Sequence, residues 1–230
     1  MGQGNDLNDL FVFSEKRRQW TAVEPKTATR PAARSYHAGG AIGQILFVFG
    51  GCSGHNRLND LWRFDTVQAV WEQLHSGEKN CPSVRGGAML FVPSENEVFV
   101  FCGFAGAELG DAWKFDVASR TWHLLAPIPM SARSVAACAN LNGRALIFGG
   151  ERDPSTDGHK GAGHMVDDVF VFDPKDESWT TVFASGPLKP SARGWMDWAP
   201  IDSSTLLLVG GLSEDNERFA DAFLFQLSEK

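Results

Sequence analysis

The chain repeats itself. The segments NDLFVF, NDLWRF, GDAWKF, DDVFVF and ADAFLF end at Phe13, Phe64, Phe115, Phe172 and Phe225, which sets their spacing at 51, 51, 57 and 53 residues. Each carries an aspartate four residues before that phenylalanine: Asp9, Asp60, Asp111, Asp168 and Asp221. A tryptophan follows the first four of them, at Trp20, Trp71, Trp122 and Trp179. Ahead of the last four lie runs of β-formers that end in glycine, ILFVFGG, EVFVFCG, RALIFGG and TLLLVGG. Ahead of each run stands an arginine in a short motif: Arg34 in ARS, Arg85 in VRG, Arg133 in ARS and Arg193 in ARG. Each unit therefore holds four short β-rich segments between turn residues, with no helical periodicity. A four-stranded sheet covers its faces only by stacking on copies of itself, so a period of this length predicts an all-β propeller of four-stranded antiparallel blades.

The glycine pair after the second strand, the aromatic some way on and the tryptophan of the fourth strand resemble the kelch repeat, over almost the whole chain. That resemblance implies a first strand lining a central channel, a fourth strand outside, and Trp20, Trp71, Trp122 and Trp179 packed between blades, with the repeated aspartate bonded to backbone in a turn. The chain reads as one domain, residues 1–230, with repeat pieces 7–23, 31–75, 84–125, 131–183 and 191–227, about four to five blades. It begins in mid-repeat and ends after a third strand. QWTAV at 19–23 is the candidate for closing the ring, but its use would leave NDLFVFSE unplaced. The favoured expectation is a chain truncated at its N-terminus relative to a six-bladed parent, with open edges that promote self-association.

Charge excludes some classes of function. A net charge of −7 with scattered Lys and Arg offers no basic stripe to displace counterions, which argues against nucleic acid and against an anionic membrane surface. MGQGNDLNDLFVF has neither a basic start nor a long apolar core, so the expected address is cytoplasmic or nuclear. Cys52, Cys81, Cys102 and Cys138 lack CxxC spacing and are expected to be reduced.

One connection departs from the repeat. Between the glycines and the repeated aspartate the chain uses residues 52–59 and 104–110 in two units but 151–167 in the next, within GGERDPSTDGHKGAGH. The residues alone leave two readings open. One is a metal loop; the other is a solvated excursion with turns at Asp153-Pro154-Ser155 and Asp157-Gly158. PMSARSVAACANLNGRALIFGGERDPSTDGHKGAG, SARGWMDWAP and GGLSEDNERFADAFLF look like the last two blades of the plant specifier proteins, kelch propellers that redirect glucosinolate breakdown. That resemblance implies Fe(II) held by a Glu, an Asp and a His spaced four apart. Here those places fall on Glu151, Ser155 and His159. A serine is a neutral, poor ligand, so Asp153 or Asp157 would have to replace it. His164, Asp167 and His37 are weaker candidates.

Arg34, Arg85, Arg133 and Arg193 recur at the start of each first strand, and symmetry gathers them near one mouth of the channel. They either attract an anion or an acidic peptide, or they bridge neighbouring blades through carbonyls or an aspartate. Trp195 in RGWMDW stands where the other units have simpler residues, and is expected either to wall a ligand site or to fill the channel. Two functions follow. The first is a binding module whose loop face and channel-mouth arginines hold a protein partner or an anionic small ligand. The second, implied by the specifier resemblance, is an Fe(II)-dependent lyase acting on glucosinolate aglycones.

Overall fold

The computed structural model describes residues 6–152, 163–183, 185 and 188–227, and every regular element in it is a strand. No helix among the described residues is long and apolar enough to cross a membrane. An N-terminal hairpin pairs β1 (Phe11–Ser14) with β2 (Gln19–Ala22). The first full blade is β3 (Ala38–Ile42), β4 (Ile45–Ser53), β5 (Asn56–Asp65) and β6 (Val70–His75), hydrogen-bonded in chain order. The second repeats that order with β7 (Met89–Ser94), β8 (Glu97–Phe104), β9 (Glu108–Asp116) and β10 (Thr121–Leu124). The third begins with β11 (Ala137–Leu141) and β12 (Arg144–Phe148), and then inserts a short ribbon of β13 (Glu151–Arg152) and β14 (His164–Met165). It is completed by β15 (Val169–Asp173) and β16 (Ser178–Val182). A three-stranded sheet of β17 (Asp197–Pro200), β18 (Thr205–Val209) and β19 (Ala222–Gln226) comes last. The arrangement is a propeller of antiparallel blades.

The core lies between sheets rather than within one. One apolar layer joins Phe47, Phe49 and Leu61 of the first blade to Val98, Val100, Phe115 and Trp122 of the second. A second layer joins Phe99 and Phe101 to Ile147 and Phe172, and a third joins Leu146 and Phe148 to Trp198, Leu206 and Leu208. Both faces of a central strand are covered, which is why FVF in β4 and in β8 is apolar at every position instead of alternating.

The fourth-strand tryptophan forms the inter-blade contact. Trp122 lies 4.9 Å from Phe115 of its own blade and 5.6 Å from Phe49 of the preceding one, centroid to centroid. Trp179 repeats this with Phe172 at 4.8 Å and Phe101 at 5.2 Å. Trp20 does not: it is exposed and stacks on Phe13. QWTAV therefore does not close the ring, because β2 is paired with β1. Beside β19, where the other blades carry a fourth strand, lies a groove of about 1080 Å³ lined by Phe148, Trp198, Phe223 and Phe225.

Candidate functional site

The conserved geometry of the blades is set at the glycine pair. Its second residue, Gly51, Gly103, Gly150 or Gly211, has φ between 97° and 117°. A Cβ there would press on the chain that enters the first strand: on Gly51 it would lie 2.6 Å from the Ser35 carbonyl oxygen, and on Gly150 it would lie 2.8 Å from that of Ser134. Glycine is required by that close approach. The first residue of the pair, Gly50, Cys102, Gly149 or Gly210, is also left-handed, and its carbonyl accepts a hydrogen bond from the arginine of its own blade.

The arginines are clamps. Arg85 is fully buried, and each of its five N–H groups has an acceptor. Its Nε donates to the Ser83 carbonyl at 3.0 Å. Nη1 donates to the Cys102 carbonyl at 2.9 Å and to Asp111 Oδ1 at 2.6 Å. Nη2 donates to Asp111 Oδ2 at 2.9 Å and to Ser83 Oγ at 3.0 Å. Arg133 makes the same five bonds with Ser131, Gly149 and Asp168, and Arg193 makes them with Ser191, Gly210 and Asp221. Arg34 makes the fork to Asp60 and the bonds to Ala32 and Gly50, but a methyl group stands where the other three blades place a serine hydroxyl.

The aspartate expected to bond backbone in a turn is the arginine's partner instead. Asp60 and Asp111 also accept the indole N–H of Trp62 and Trp113, each at 2.7 Å. Burial pushes the Asp111 carboxyl up, but the Arg85 hydrogen bonds and charge, helped by the Trp113 N–H, hold it below the usual carboxylate range. Asp221 is lowered mainly by its Arg193 bond.

Side chain and backbone of each arginine divide the work. The guanidinium ties the chain entering the first strand of its blade to the end of the second strand and the start of the third, and the main chain ties that blade to the previous one. Gly51 N donates to Arg85 O at 2.9 Å while Arg85 N donates to Leu58 O at 2.9 Å, and Arg133 and Arg193 repeat the pattern. With their donors used in this way, Arg85, Arg133 and Arg193 offer no free N–H at the channel mouth, and an anion there has to be met by other groups.

The residue two after each arginine links one blade to the next. Tyr36, Gly87, Val135 and Trp195 are all left-handed, with φ of 53°, 60°, 49° and 53°. They form a hydrogen-bond relay from blade to blade: Gly87 N to Tyr36 O at 2.9 Å, Val135 N to Gly87 O at 2.8 Å, and Trp195 N to Val135 O at 3.0 Å. The residues just before them bridge to the chain leaving the glycine pair, Ser35 with Cys52 and Ser134 with Glu151, so the relay and the long connections share one end of the blades. Tyr36 and Trp195 are exposed there. His37 adjoins them, its pKa lowered by desolvation and then by the charge of Arg34.

The enlarged connection is only partly described. Asp153, Ser155, Asp157 and His159 lie outside the described residues. Glu151 is buried in β13, and its Oε1 accepts the Gly163 N–H at 2.6 Å, which folds the base of the loop back on itself. His164 is turned toward the next sheet: its Nδ1 lies 2.6 Å from Glu214 Oε1, which also accepts the Met165 N–H at 2.8 Å. Asp167 pairs with Lys189 at 2.6 Å. Among the described residues no three His, Cys, Asp or Glu side chains form a cluster that could hold a metal ion.

Stacked antiparallel sheets, a glycine pair packed under the first strand and an arginine–aspartate clamp in each of four units define a propeller of kelch-type blades. The KLHDC2/KLHL20/DRC7 Kelch-repeats domain profile matches residues 1–150, and the chain belongs to the kelch-repeat family. It is 28% identical over 150 residues to mouse (Mus musculus) Kelch domain-containing protein 1, covering 64% of this chain and 37% of the relative. It is 26% identical over 217 residues to the N-(sulfonatooxy)prop-2-enimidothioate sulfolyase of Thlaspi arvense, covering 83% of this chain and 61% of that protein. The leucine-zipper-like transcriptional regulator 1 of Mus musculus matches at 27% over 188 residues, covering 76% of this chain and 21% of the relative. The chain thus spans less than two thirds of the length of these relatives.

Proposed function

We propose that this propeller is a protein-interaction module whose partner docks on the end of the blades that carries the relay and the long connections. The observation that supports this most is the exposure of Tyr36 and Trp195 at left-handed positions of that end, where the same backbone elsewhere carries glycine or valine. Exposed aromatics held on a rigid backbone supply large contact area at small entropic cost. Membership of the kelch family agrees with such a role. Affinity capture with the wild-type chain, followed by the Tyr36→Ala, Trp195→Ala double variant, tests it. The captured partner should be lost while the melting temperature stays unchanged. Retention of the partner by the double variant would remove this face from the proposal. An anionic small ligand is an alternative occupant of the same face; isothermal titration with sulfate or an acidic peptide addresses it.

A second reading is favoured by the likeness to the sulfolyase over 83% of this chain. In it, Glu151, His159 and one of Asp153, Ser155 and Asp157 hold Fe(II), and the chain acts as a lyase on a sulfated thiohydroximate. Glu151 is placed at the base of the loop, but one of its oxygens already accepts the Gly163 N–H, so metal binding would have to displace or share that bond. Anaerobic Fe(II) titration of the wild type and of the Glu151→Ala, His159→Ala double variant decides it. Stoichiometric binding that the double variant loses supports the lyase, and equal weak binding by both sinks it.

A further inference from the structure

Among the described residues four cations lie over an aromatic ring, and three of them are completed by a carboxylate. Lys114 Nζ sits 5.6 Å from the Phe99 centroid and pairs with Glu97 at 2.6 Å. The Arg133 guanidinium lies 5.5 Å from the Phe170 centroid and forks to Asp168, and that of Arg193 lies 3.9 Å from the Phe219 centroid and forks to Asp221. The fourth is Arg57. Its guanidinium lies 4.9 Å from the Phe104 centroid, and it makes no side-chain hydrogen bond or ion pair among the described residues.

The stack stands between two blades that each have all four strands, so its place is set inside the propeller. Arg57, near the start of β5, is the cross-strand partner of Cys52, and Phe104 ends β8 of the next blade. Phe104 is bridged to Gly86 in both directions, with N–O distances of 3.1 and 2.8 Å. A Cβ on Gly86 would lie 3.2 Å from Cys52 Sγ and equally close to Tyr36 Cβ. Gly86 is therefore where the stack adjoins Tyr36, the exposed aromatic of the relay end.

Stacking on Phe104 fixes the plane of a half-buried guanidinium before any ligand arrives, and its donors meet no acceptor among the described residues. A planar fork of single charge matches a carboxylate. Asp6 is close by, held on the Gly54 N–H at 2.8 Å, and its charge disfavours a more highly charged anion. We propose that Arg57 receives an aspartate or glutamate side chain of the protein partner, while an apolar neighbour of that residue packs on Tyr36. This rests on the reading of the relay end as the docking face and names the chemistry that docks there, an acidic segment with an apolar neighbour. The partner's carboxylate gives Arg57 what Lys114, Arg133 and Arg193 obtain within the chain.

A phage-displayed library of random peptides, selected on the wild-type chain, tests this. Enriched sequences should carry Asp or Glu beside an aromatic or aliphatic residue. The most enriched peptide, synthesised and followed by isothermal titration, should bind Arg57→Gln about tenfold more weakly than wild type. The same peptide with its carboxylate changed to an amide should lose as much on the wild type and nothing more on Arg57→Gln. Arg57→Lys, which keeps the charge but not the fork, should fall between the two, and calorimetry of each variant shows that it is folded. Peptides lost on the Tyr36→Ala, Trp195→Ala double variant but held by Arg57→Gln keep the docking face and overturn the role of Arg57. Peptides indifferent to all of these substitutions overturn both readings. A library without acidic enrichment, or losses from Arg57→Gln and from the amide peptide that simply add, overturns the proposal.

Discussion

Asp111→Asn isolates the clamp. The substitution keeps the shape of the side chain but removes the charge, leaving Arg85, which has no exposed surface, without its forked partner and taking an acceptor from Trp113. Removing one partner of a buried ion pair costs about 3–5 kcal/mol. Asp111 retains 30% side-chain exposure, so water can partly replace it, and the lower end, about 3 kcal/mol, applies. For a chain of this size that lowers the melting temperature by roughly 6–12 °C in differential scanning calorimetry. Because the folded carboxyl titrates below its unfolded value of about 3.9, its contribution is complete above that value and is lost as pH falls through the folded value. The gap between wild type and variant should therefore be constant at neutral pH and close in acid. Arg85→Met combined with Asp111→Leu should melt above Arg85→Met alone, since the pair removed together leaves no orphaned charge. An Asp111→Asn variant that melts within about 2 °C of wild type would refute the clamp and return Arg85 to the pool of ligand-binding residues.

Three further outcomes follow from the same geometry. His75 Nδ1 accepts the Gly77 N–H at 2.9 Å, and desolvation lowers the pKa of His75, so wild-type stability should be full above about pH 6.5 and fall as pH drops below it; thermal melts of His75→Gln across this range should be flatter. Burial pushes the Cys102 and Cys138 thiols up to about 12, so a short iodoacetamide pulse read by mass spectrometry should alkylate Cys52 and Cys81 first. Ala69 sits at φ 57° in the turn between β5 and β6, where an L-residue costs about 1–2 kcal/mol and glycine does not; after the extra chain entropy that glycine loses, Ala69→Gly should raise stability by about 0.5 kcal/mol in calorimetry.

The repeat made the blades legible because each unit carries its strands, its turn residues and its aromatic pair in fixed order. The arginine and aspartate repeated too, and opposite charges that recur together in every unit are the mark of a fold requirement. What the linear pattern could not state is that they meet, since 26 residues separate them in the first two blades, 35 in the third and 28 in the last. A weaker signal was also present. Ser83, Ser131 and Ser191 precede their arginines by two residues, and the hydroxyl completes the set of five acceptors. The fate of QWTAV was not legible, because a fourth strand pairs with whichever third strand is adjacent, and β1 is adjacent in sequence. The long loop had the residue types of a metal site, but His164 and Asp167, at its base, are held by Glu214 and Lys189 from beyond their own blade.

Repetition and function separate at the relay. Val135 is β-branched and still adopts φ 49°, a conformation such residues strongly disfavour, because its N–H and carbonyl link Gly87 to Trp195. The backbone at this position is therefore dictated by the neighbouring blades, whatever the side chain. The same left-handed main chain carries tyrosine, glycine, valine and tryptophan in successive units. That is the reverse of the arginine position, where side chain and backbone are both used and all four units agree. For a propeller that binds a partner, identity is written where the units differ, and around this mouth they differ at Tyr36 and Trp195 and in the length of the connection after Glu151.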